Sequence, residues 1–424
     1  MKKNIHLPIG MFFLFFCATL FDSCVKDTCK STLSYTIYTP VYETVAQLKE
    51  NIKSGSPEDL ENPGKIVIIG KYIFCNEIEK GIHIIDNQNP ASPKNIAFIK
   101  IPGNIDLALK GNTLYADSYS DLVTLDVSNP LDVILKKYSE NAFQFPYYAN
   151  AIDYNAANKI AGWIKKDTTV SANCGGNMVY YSSGVYATNA LQSSSVPAAS
   201  ASGAVGTGGS MARFAIVNNY LYTVDQSNLN VFDIANNNDP IFSNQISVDY
   251  HVETIYPFEN RLFIGSNNGM FIYNIESSPQ NPVKAGEFTH ARACDPVIAD
   301  GQFAFITLHS GTTCLGYDNE LDVVKLNNIV DASLVKIYHL TSPQGLYKDG
   351  NLLFICDGTD GLEIFNAEDA SNLKLIKQFS NLENYDVIAF NNIALVVAKD
   401  GLYQYNYSDV NNIHLLSKIG IDRK

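Results

Sequence analysis

Apolar and polar residues alternate with a period of two along most of this chain, in short runs separated by polar turns. The clearest run is Leu122 to Asp126 (LVTLD). Comparable runs are IHIID (82–86), LNVFD (229–233), MFIYN (270–274), LDVVK (321–325), LEIFN (362–366) and LYQYN (402–406). Such alternation, rich in β-branched and aromatic residues, predicts half-buried β-strands. Asn-Pro and Gly-Asn pairs between the runs predict turns.

Each run belongs to a longer unit with four predicted strands, and its first strand recurs about every 41 residues. First strands fall near Ile66, Leu107, Ala151, Ala215, Ile255, Val297, Leu346 and Val387. Four strands in a unit of this length are typical of a β-propeller, in which stacked blades protect their edges. The sequence therefore predicts an all-β propeller of four-stranded antiparallel blades over residues 64–421. Eight first strands predict eight blades, and the degenerate third copy leaves seven blades plus an irregular segment open.

The strands resemble the LVIVD repeat, a family of β-propeller repeats common in bacterial surface proteins. Leu122 to Asp126 matches the motif that names the family almost literally. The resemblance covers residues 64–421. It implies a propeller at the cell envelope, and it implies no reaction.

Two of the predicted units are longer than the rest. The insertion at 168–210 ends in a low-complexity run, SSSVPAASASGAVGTGGS (193–210), which predicts a flexible loop. The second insertion, at 310–319, reads SGTTCLGYDN. Both are predicted to lie between the second and third strands of their blades. Before the ring, residues 35–45 predict a strand that packs onto it, limited to an edge by Pro40.

The amino terminus predicts an export signal over residues 1–23. Lys2 and Lys3 precede an apolar stretch, Leu7 to Phe21, that is shorter than the roughly 20 residues of a membrane-spanning helix. Ser23-Cys24 then places a small residue before a cysteine, where a lipoprotein signal peptidase cuts. Cys24 is the predicted lipidation site, and residues 24–63 form a tether and an N-terminal strand. A soluble secreted protein cut nearby is the alternative.

The residues after Cys24 bear on location. Val25-Lys26-Asp27 resembles the charged tag of Bacteroidetes-type lipoproteins. The predicted location is therefore the outer membrane, on its periplasmic or cell-surface side, with the membrane as a partner through the lipid anchor. Acyl chains add about 0.8 kcal/mol of membrane binding for each buried CH₂.

Charge and motifs exclude several functional classes. The net charge of −13 argues against nucleic acid, whose phosphates attract basic surfaces. Gly-x-Ser-x-Gly, His-Glu-x-x-His and phosphate-binding glycine loops are missing from the sequence, so no catalytic residue, metal ligand or cofactor is assigned. A sialidase-like arginine triad also fails, because Arg261 falls at the opposite end of its blade from Arg213 and Arg292.

A binding surface is predicted where first strands begin and second strands end, since these points share one face of the ring. The candidate residues on this face are Tyr148, Arg213, His251, His290, Arg292, His309 and Tyr385. The predicted role is to bind or scaffold a protein or glycan; the alternative is a hydrolase or lyase at the channel mouth. Asp117, Asp225 and Asp357 end second strands, where capping a turn is favoured over binding calcium.

The cysteines predict one disulfide. Cys294 and Cys314 are expected at the same end of one blade, and export favours a bridge between them. Free thiols, or a zinc site completed by His290 and His309, remain alternatives. Cys75 and Cys356 fall inside second strands and are predicted to be buried apolar residues.

Overall fold

The computed structural model describes residues 30–143, 158–173, 204–289, 296–310, 319–327 and 332–421. The chain divides into two compact units. The smaller comprises Met1–Thr39 and Ile164–Ala187, and the larger comprises Pro40–Trp163 and Thr188–Lys424. No helix in the described ranges is long and apolar enough to cross a membrane.

The smaller unit contains most of a two-stranded sheet, formed by β1 (Lys30–Thr44) and β11 (Asn158–Asn173). Side chains join the two strands: the Thr36 hydroxyl donates to Asp167 at 2.6 Å, and Lys165 Nζ lies 5.5 Å from the centre of the Tyr38 ring. The predicted strand at 35–45 is therefore a strand, and its partner is β11.

The larger unit begins with the end of β1 and a short helix, α1 (Val45–Asn51). The Thr44 hydroxyl caps the helix by accepting from the backbone N–H of Gln47, while the Gln47 side chain accepts from the backbone N–H of Thr44. Leu48 is buried. The segment after the helix forms β2 (Ser54–Gly55), which joins the first blade described below.

Among the described residues, seven blades each contain four antiparallel strands in chain order; six of them are four-stranded sheets, and the first is part of a six-stranded sheet. Blade 1 comprises β3 (Pro63–Ile69), β4 (Tyr72–Glu77), β5 (Gly81–Asp86) and β6 (Lys94–Lys100). Blade 2 comprises β7 (Leu107–Lys110), β8 (Thr113–Ser118), β9 (Asp121–Asp126) and β10 (Ile134–Ser139). Blade 3 comprises β13 (Phe214–Val217), β14 (Tyr220–Val224), β15 (Asn228–Asp233) and β16 (Ile241–Ser247). Blade 4 comprises β17 (Val252–Phe258), β18 (Arg261–Ser266), β19 (Gly269–Asn274) and β20 (Val283–Thr289). Blade 5 comprises β21 (Val297–Ala299), β22 (Phe303–Leu308), β23 (Glu320–Leu326) and β24 (Ala332–His339). Blade 6 comprises β25 (Leu346–Asp349), β26 (Leu352–Asp357), β27 (Gly361–Asn366) and β28 (Lys374–Phe379). Blade 7 comprises β29 (Asn384–Phe390), β30 (Ile393–Ala398), β31 (Gly401–Asn406) and β32 (His414–Gly420).

The first strand of each blade contacts that of the next blade, and blade 7 contacts β3 of blade 1. The blades therefore close into a ring with first strands innermost and fourth strands outermost. This confirms the predicted all-β propeller. Of the two predicted counts, eight is wrong and the alternative of seven is confirmed, because the described part of the segment taken as a third copy, residues 158–173, forms β11 of the two-stranded sheet and not a blade strand.

Hydrophobic packing between blades forms the core. Second and third strands are almost wholly buried, whereas fourth strands are half-buried or exposed. The third residue of the second strand has a large side chain in every blade. In four blades it is a phenylalanine that is less than 2 % exposed: Phe74, Phe263, Phe305 and Phe354. Burial of each ring contributes about 1.5–3 kcal/mol.

Blade 1 carries two additional strands. The two-residue β2 pairs antiparallel with its outer strand, β6, and a second short strand, β12 (Thr207–Gly208), pairs antiparallel with its inner strand, β3. Blade 1 is therefore a six-stranded sheet covered at both edges. The inner addition places residues from the predicted flexible insertion at the centre of the ring.

Candidate functional site

The first feature of the site is the segment 204–212, called here the plug, which runs along the inner strands. Gly206 donates its backbone N–H to the Leu109 carbonyl of blade 2 at 2.9 Å. The next two residues form β12 and pair with β3 of blade 1. The plug thus begins beside two adjacent inner strands.

The plug then contacts inner strands of more distant blades. The Ser210 hydroxyl accepts a hydrogen bond from the backbone N–H of Leu346 in blade 6 at 2.8 Å. The Ala212 carbonyl accepts from the backbone N–H of Ile255 in blade 4 at 2.6 Å. A segment bonded to the inner strands of blades 1, 2, 4 and 6 lies on the axis of the ring. The chain therefore runs through its own central channel.

Small residues make this path possible. A Cβ atom on Gly206 would lie 2.5 Å from Val67 Cγ1, and one on Gly209 would lie 2.4 Å from Asp386 Oδ2. A cavity of about 20 Å³ remains between the plug and the strands of blades 1 to 4, which is room for a single water molecule. The glycine-rich composition of the plug therefore allows close approach to the channel wall.

The prediction for this insertion needs two corrections. Its last residues, 206–210, are mostly buried against inner strands, whereas the run 193–210 was predicted to be a flexible loop. Its predicted place between the second and third strands of a blade is also wrong, because the plug follows blade 2 and leads directly into the inner strand of blade 3.

The second feature is a ring of residues called here the collar, one from each blade, at the end of the channel where inner strands begin. In every blade, the fourth residue of the second strand pairs with a residue of the inner strand. The collar residue is the one immediately before that partner in the sequence. The collar consists of Lys65, Asp106, Arg213, Thr254, Pro296, Gly345 and Asp386. All seven are buried. Around the ring from blade 7 through blades 1 and 2 to blade 3, the collar residues alternate in charge. They are Asp386, Lys65, Asp106 and Arg213.

Lys65 and Asp106 are the best defined pair in the collar. Lys65 Nζ lies 3.8 Å from Asp106 Oδ2, and each side chain is 2 % exposed. The ammonium also donates to the Met211 carbonyl of the plug at 3.1 Å. Asp106 accepts from the backbone N–H groups of Arg213 at 2.6 Å and Leu107 at 2.7 Å. The pair thus joins blades 1, 2 and 3 to the plug.

Burial shifts the proton affinities of this pair toward the neutral forms. Desolvation lowers the pKa of Lys65 from 10.5 to about 7, although Asp106 opposes the shift. Desolvation also raises the pKa of Asp106, against the attraction of Lys65 and the hydrogen bond from Arg213. The cost of removing each charge from water outweighs the attraction between them.

Asp117 lies next to the collar and shows why acidic residues end second strands. Its Oδ1 accepts from the backbone N–H groups of Ile105 at 2.7 Å and Asp106 at 2.9 Å. Desolvation raises its pKa to about 6. The carboxylate therefore fixes the backbone that leads into the inner strand.

The other two aspartates of this type also bind backbone. Asp225 accepts from Ser227 and Asn228, in the turn that follows it. Asp357 accepts from Thr341 and Ser342, in the segment that leads into blade 6. Capping, which the sequence favoured over calcium binding, accounts for these contacts. Within the described ranges, no group of three or more His, Cys, Asp or Glu residues is placed to hold a metal ion.

The structure brings only part of the predicted binding face together. Arg213 belongs to the collar and is buried, and Tyr385 is half-buried beside the collar, where its carbonyl accepts from the N–H of Gly345 at 2.9 Å. His309 is half-buried after β22. Tyr148, His290 and Arg292 lie outside the described residues, as do Cys24, Cys294 and Cys314.

Among the predicted residues that the structure describes, His251 has the most open position. It has a left-handed φ of 55°, which is uncommon for a residue other than glycine. Its carbonyl accepts from the backbone N–H of Asn267 at 3.2 Å. Its ring lies edge-on to that of Tyr250, with 5.0 Å between centroids, and Tyr250 is 70 % exposed. These two residues form an exposed aromatic corner between blades 3 and 4.

Sequence reasoning missed Lys65, Asp106 and Ser210. The available signal was positional, because Lys65, Asp106 and Arg213 share one register, immediately before the apolar run of an inner strand. Cys75 and Cys356 are buried free thiols, as predicted, and burial raises the pKa of each well above its usual value.

Comparison with known proteins agrees with this geometry. The family described as LVIVD repeat matches residues 104–138 and 208–247, which cover most of blade 2 and all of blade 3. No curated protein matches the chain.

Solved structures share the fold at low sequence identity. The periplasmic gluconolactonase PpgL of Pseudomonas aeruginosa has a TM-score of 0.51 at 11 % identity, with 84 % of this chain and 96 % of that chain covered. A protein from Lactobacillus plantarum has a TM-score of 0.50 at 13 % identity, with coverage of 85 % and 98 %. A computationally designed protein, Ika8, has a TM-score of 0.50 at 9 % identity, with coverage of 86 % and 90 %.

Proposed function

We propose that this chain, which belongs to the LVIVD-repeat β-propellers, is a lipid-anchored binding module of the bacterial cell envelope that holds a protein or glycan partner on its surface. The observation that carries the proposal is the plug. Small-molecule sites are concave pockets of about 300–1,000 Å³. The cavity between the plug and the inner strands of blades 1 to 4 is much smaller, at about 20 Å³.

The contacts of the collar support the same function. Within and beside the collar, Lys65, Asp106 and Asp117 have shifted pKa values that would suit acid–base chemistry. Each is bonded to backbone of the ring or the plug. They therefore position the chain, and a partner binds elsewhere on the surface.

The alternative is an envelope hydrolase or lyase, and one observation favours it. The pKa of Lys65 near 7 and that of Asp117 near 6 are suited to proton transfer at neutral pH. The gluconolactonase with a similar fold is only 11 % identical in sequence to this chain, so the likeness does not assign catalytic residues here.

A paired experiment separates the two functions. The mature chain is screened for turnover of lactones, glycosides and polysaccharides, and in parallel for binding on a glycan array and by photo-crosslinking in envelopes. We expect saturable binding and no turnover. Turnover that disappears in Lys65→Met, in a variant with unchanged circular dichroism, would establish the enzyme instead.

The lipid anchor has its own test. We expect metabolic labelling with a palmitate analogue to be lost in Cys24→Ala, because the thiol of Cys24 is the proposed site of acylation. Cys17→Ala, which removes a cysteine within the predicted signal segment, is the matched control and should keep the label. Persistent labelling of the Cys24 variant would rule out this anchor.

A further inference from the structure

The interface between blade 7 and blade 1, called here the seam, joins the two ends of the propeller. Blade 1 takes β3 to β6 from residues 63–100, and blade 7 takes its four strands from residues 384–420. Among the described strands, none is exchanged between these two blades. The ring is therefore closed by contacts across the seam and not by a shared sheet.

The inner strands meet differently at the seam. At the six interfaces from blade 1 to blade 7, the first strand of each blade contacts the first strand of the next. At the seam, β29 of blade 7 contacts β12 of the plug, and β3 of blade 1 contacts β30, the second strand of blade 7. Because β12 is paired with β3, Gly208 opposite Val67, the plug strand contacts both sides of the seam.

The residues that follow β12 continue this path. Gly209 lies so close to blade 7 that a Cβ atom on it would overlap the carboxylate of Asp386. Ser210 then accepts the hydrogen bond from the backbone N–H of Leu346 in blade 6. In three successive residues, the plug is thus paired with blade 1, packed on blade 7 and bonded to blade 6.

Further from the axis, a reciprocal amide pair joins blades 1 and 7. Asn87 donates Nδ2 to Gln404 Oε1 at 2.9 Å, and Gln404 donates Nε2 to Asn87 Oδ1 at 2.8 Å. Ser417 of blade 7 also donates to the Pro90 carbonyl of blade 1 at 2.6 Å. Apolar side chains of the two blades pack in one cluster. The seam is therefore fastened at two places, by the plug at the axis and by the amides outside it.

We propose that the plug is the inner clasp of the ring: it closes the seam between blades 7 and 1, and the ring opens at this seam when the plug is released. The other six interfaces keep direct contacts between inner strands, so loss of the plug weakens the seam most. Local openings of this kind have free energies below that of global unfolding. The opening of the ring is a property separate from the proposed binding of a partner.

The test is hydrogen exchange of the folded mature chain, read by mass spectrometry, in the variant Gly209→Ala. The added methyl group overlaps the Asp386 carboxylate and separates the plug from blade 7. We expect amides of β3 and β29 to exchange about tenfold faster or more, because local opening sets their exchange rate. Amides of β18 and β21, at the interface of blades 4 and 5, should be unchanged.

The matched control is Gly420→Ala, in the outer strand of blade 7. A Cβ atom at this position meets open space, so the same substitution adds a methyl group without disturbing the seam. Its exchange should equal that of the wild type in β3 and β29.

A second variant weakens the same seam from outside and keeps the test decisive if Gly209→Ala fails to fold. Gln404→Met keeps an unbranched side chain but removes both bonds to Asn87, and should also accelerate exchange in β3 and β29. Lys137→Met is its control. Lys137 of blade 2 donates to the Pro240 carbonyl of blade 3 at 2.7 Å, as Gln404 donates to that of Pro90, but at an interface where inner strands are in direct contact. Exchange there should stay unchanged.

Two results would overturn the proposal. Equal acceleration in all seven blades would show that the plug stabilises the ring as a whole and not the seam. Unchanged exchange of β3 and β29 in folded Gly209→Ala would show that the plug does not close the ring. Partner binding by the surface is measured separately, so neither result decides the proposed function.

Discussion

Asp106→Ala is expected to lower the free energy of unfolding by about 3–5 kcal/mol, the usual effect of removing one partner from a buried ion pair. The Asp106 side chain is 2 % exposed, faces Lys65 Nζ at 3.8 Å and accepts from two backbone N–H groups. Its loss leaves the backbone donors of Leu107 and Arg213 without that acceptor, and leaves Lys65 without its closest carboxylate. Urea unfolding at pH 7, followed by near-ultraviolet circular dichroism, measures the change.

The matched control is Asp239→Ala. Asp239 forms an ion pair with Lys137 at 2.6 Å, but its side chain is 53 % exposed. Exposed pairs contribute about 0–1 kcal/mol, so this variant should unfold close to the wild type. If Asp106→Ala were no more destabilising than the control, the collar would not hold the ring together.

The second large effect is a dependence of stability on pH that comes from Lys65. The pKa of Lys65 is about 7 in the folded chain, and its ordinary value of 10.5 applies in the unfolded chain. Between these values the unfolded chain keeps a proton that the folded chain has lost. The free energy of unfolding therefore rises with pH, by up to about 1.4 kcal/mol per unit for this group. Below pH 7 both states carry the proton and the group adds no slope.

Lys65→Met removes this contribution, so the difference between wild type and variant should change steadily between pH 7.5 and 9.5, a range set by the two pKa values. The range ends there because burial raises the pKa values of tyrosines such as Tyr256 and Tyr347. Their ionisation in the unfolded chain lowers stability above about pH 10. Parallel curves for the two proteins in this window would show that Lys65 keeps an ordinary pKa.

The blade count illustrates what the sequence could reveal. Seven third-strand runs of the LVTLD type are present, and each forms a third strand in the structure. First strands misled the count, because a weak apolar run near Ala151 was included. Third strands are packed on both faces inside a blade, which constrains their alternation. Inner strands border the channel, vary from three to seven residues in length and begin their apolar runs after residues as different as Lys65, Thr254 and Gly345, so their pattern is less specific.

The plug was misjudged for a related reason. Low-complexity sequence predicts disorder because it buries little apolar surface on its own. Residues 206–210 are instead ordered by contacts with strands that are distant in sequence, such as the bond from Leu346 to Ser210. Glycine removes the side chains that would prevent so close an approach. No local pattern encodes such contacts, so neither the plug nor its bond to Lys65 was predictable from the insertion alone.

A designed disulfide tests directly whether the chain closes its own channel. Thr207 and Ile68 are directly paired between β12 and β3, and paired residues have Cβ atoms about 4.5–5.5 Å apart, close enough for a bridge after small adjustment. Thr207→Cys with Ile68→Cys should give one linked peptide in non-reducing mass spectrometry. The control, Thr207→Cys with Ala299→Cys, places the second cysteine at the equivalent point of blade 5 and should stay reduced. Two free thiols at 207 and 68 in the folded protein would contradict the plug and, with it, the case for a surface-binding module.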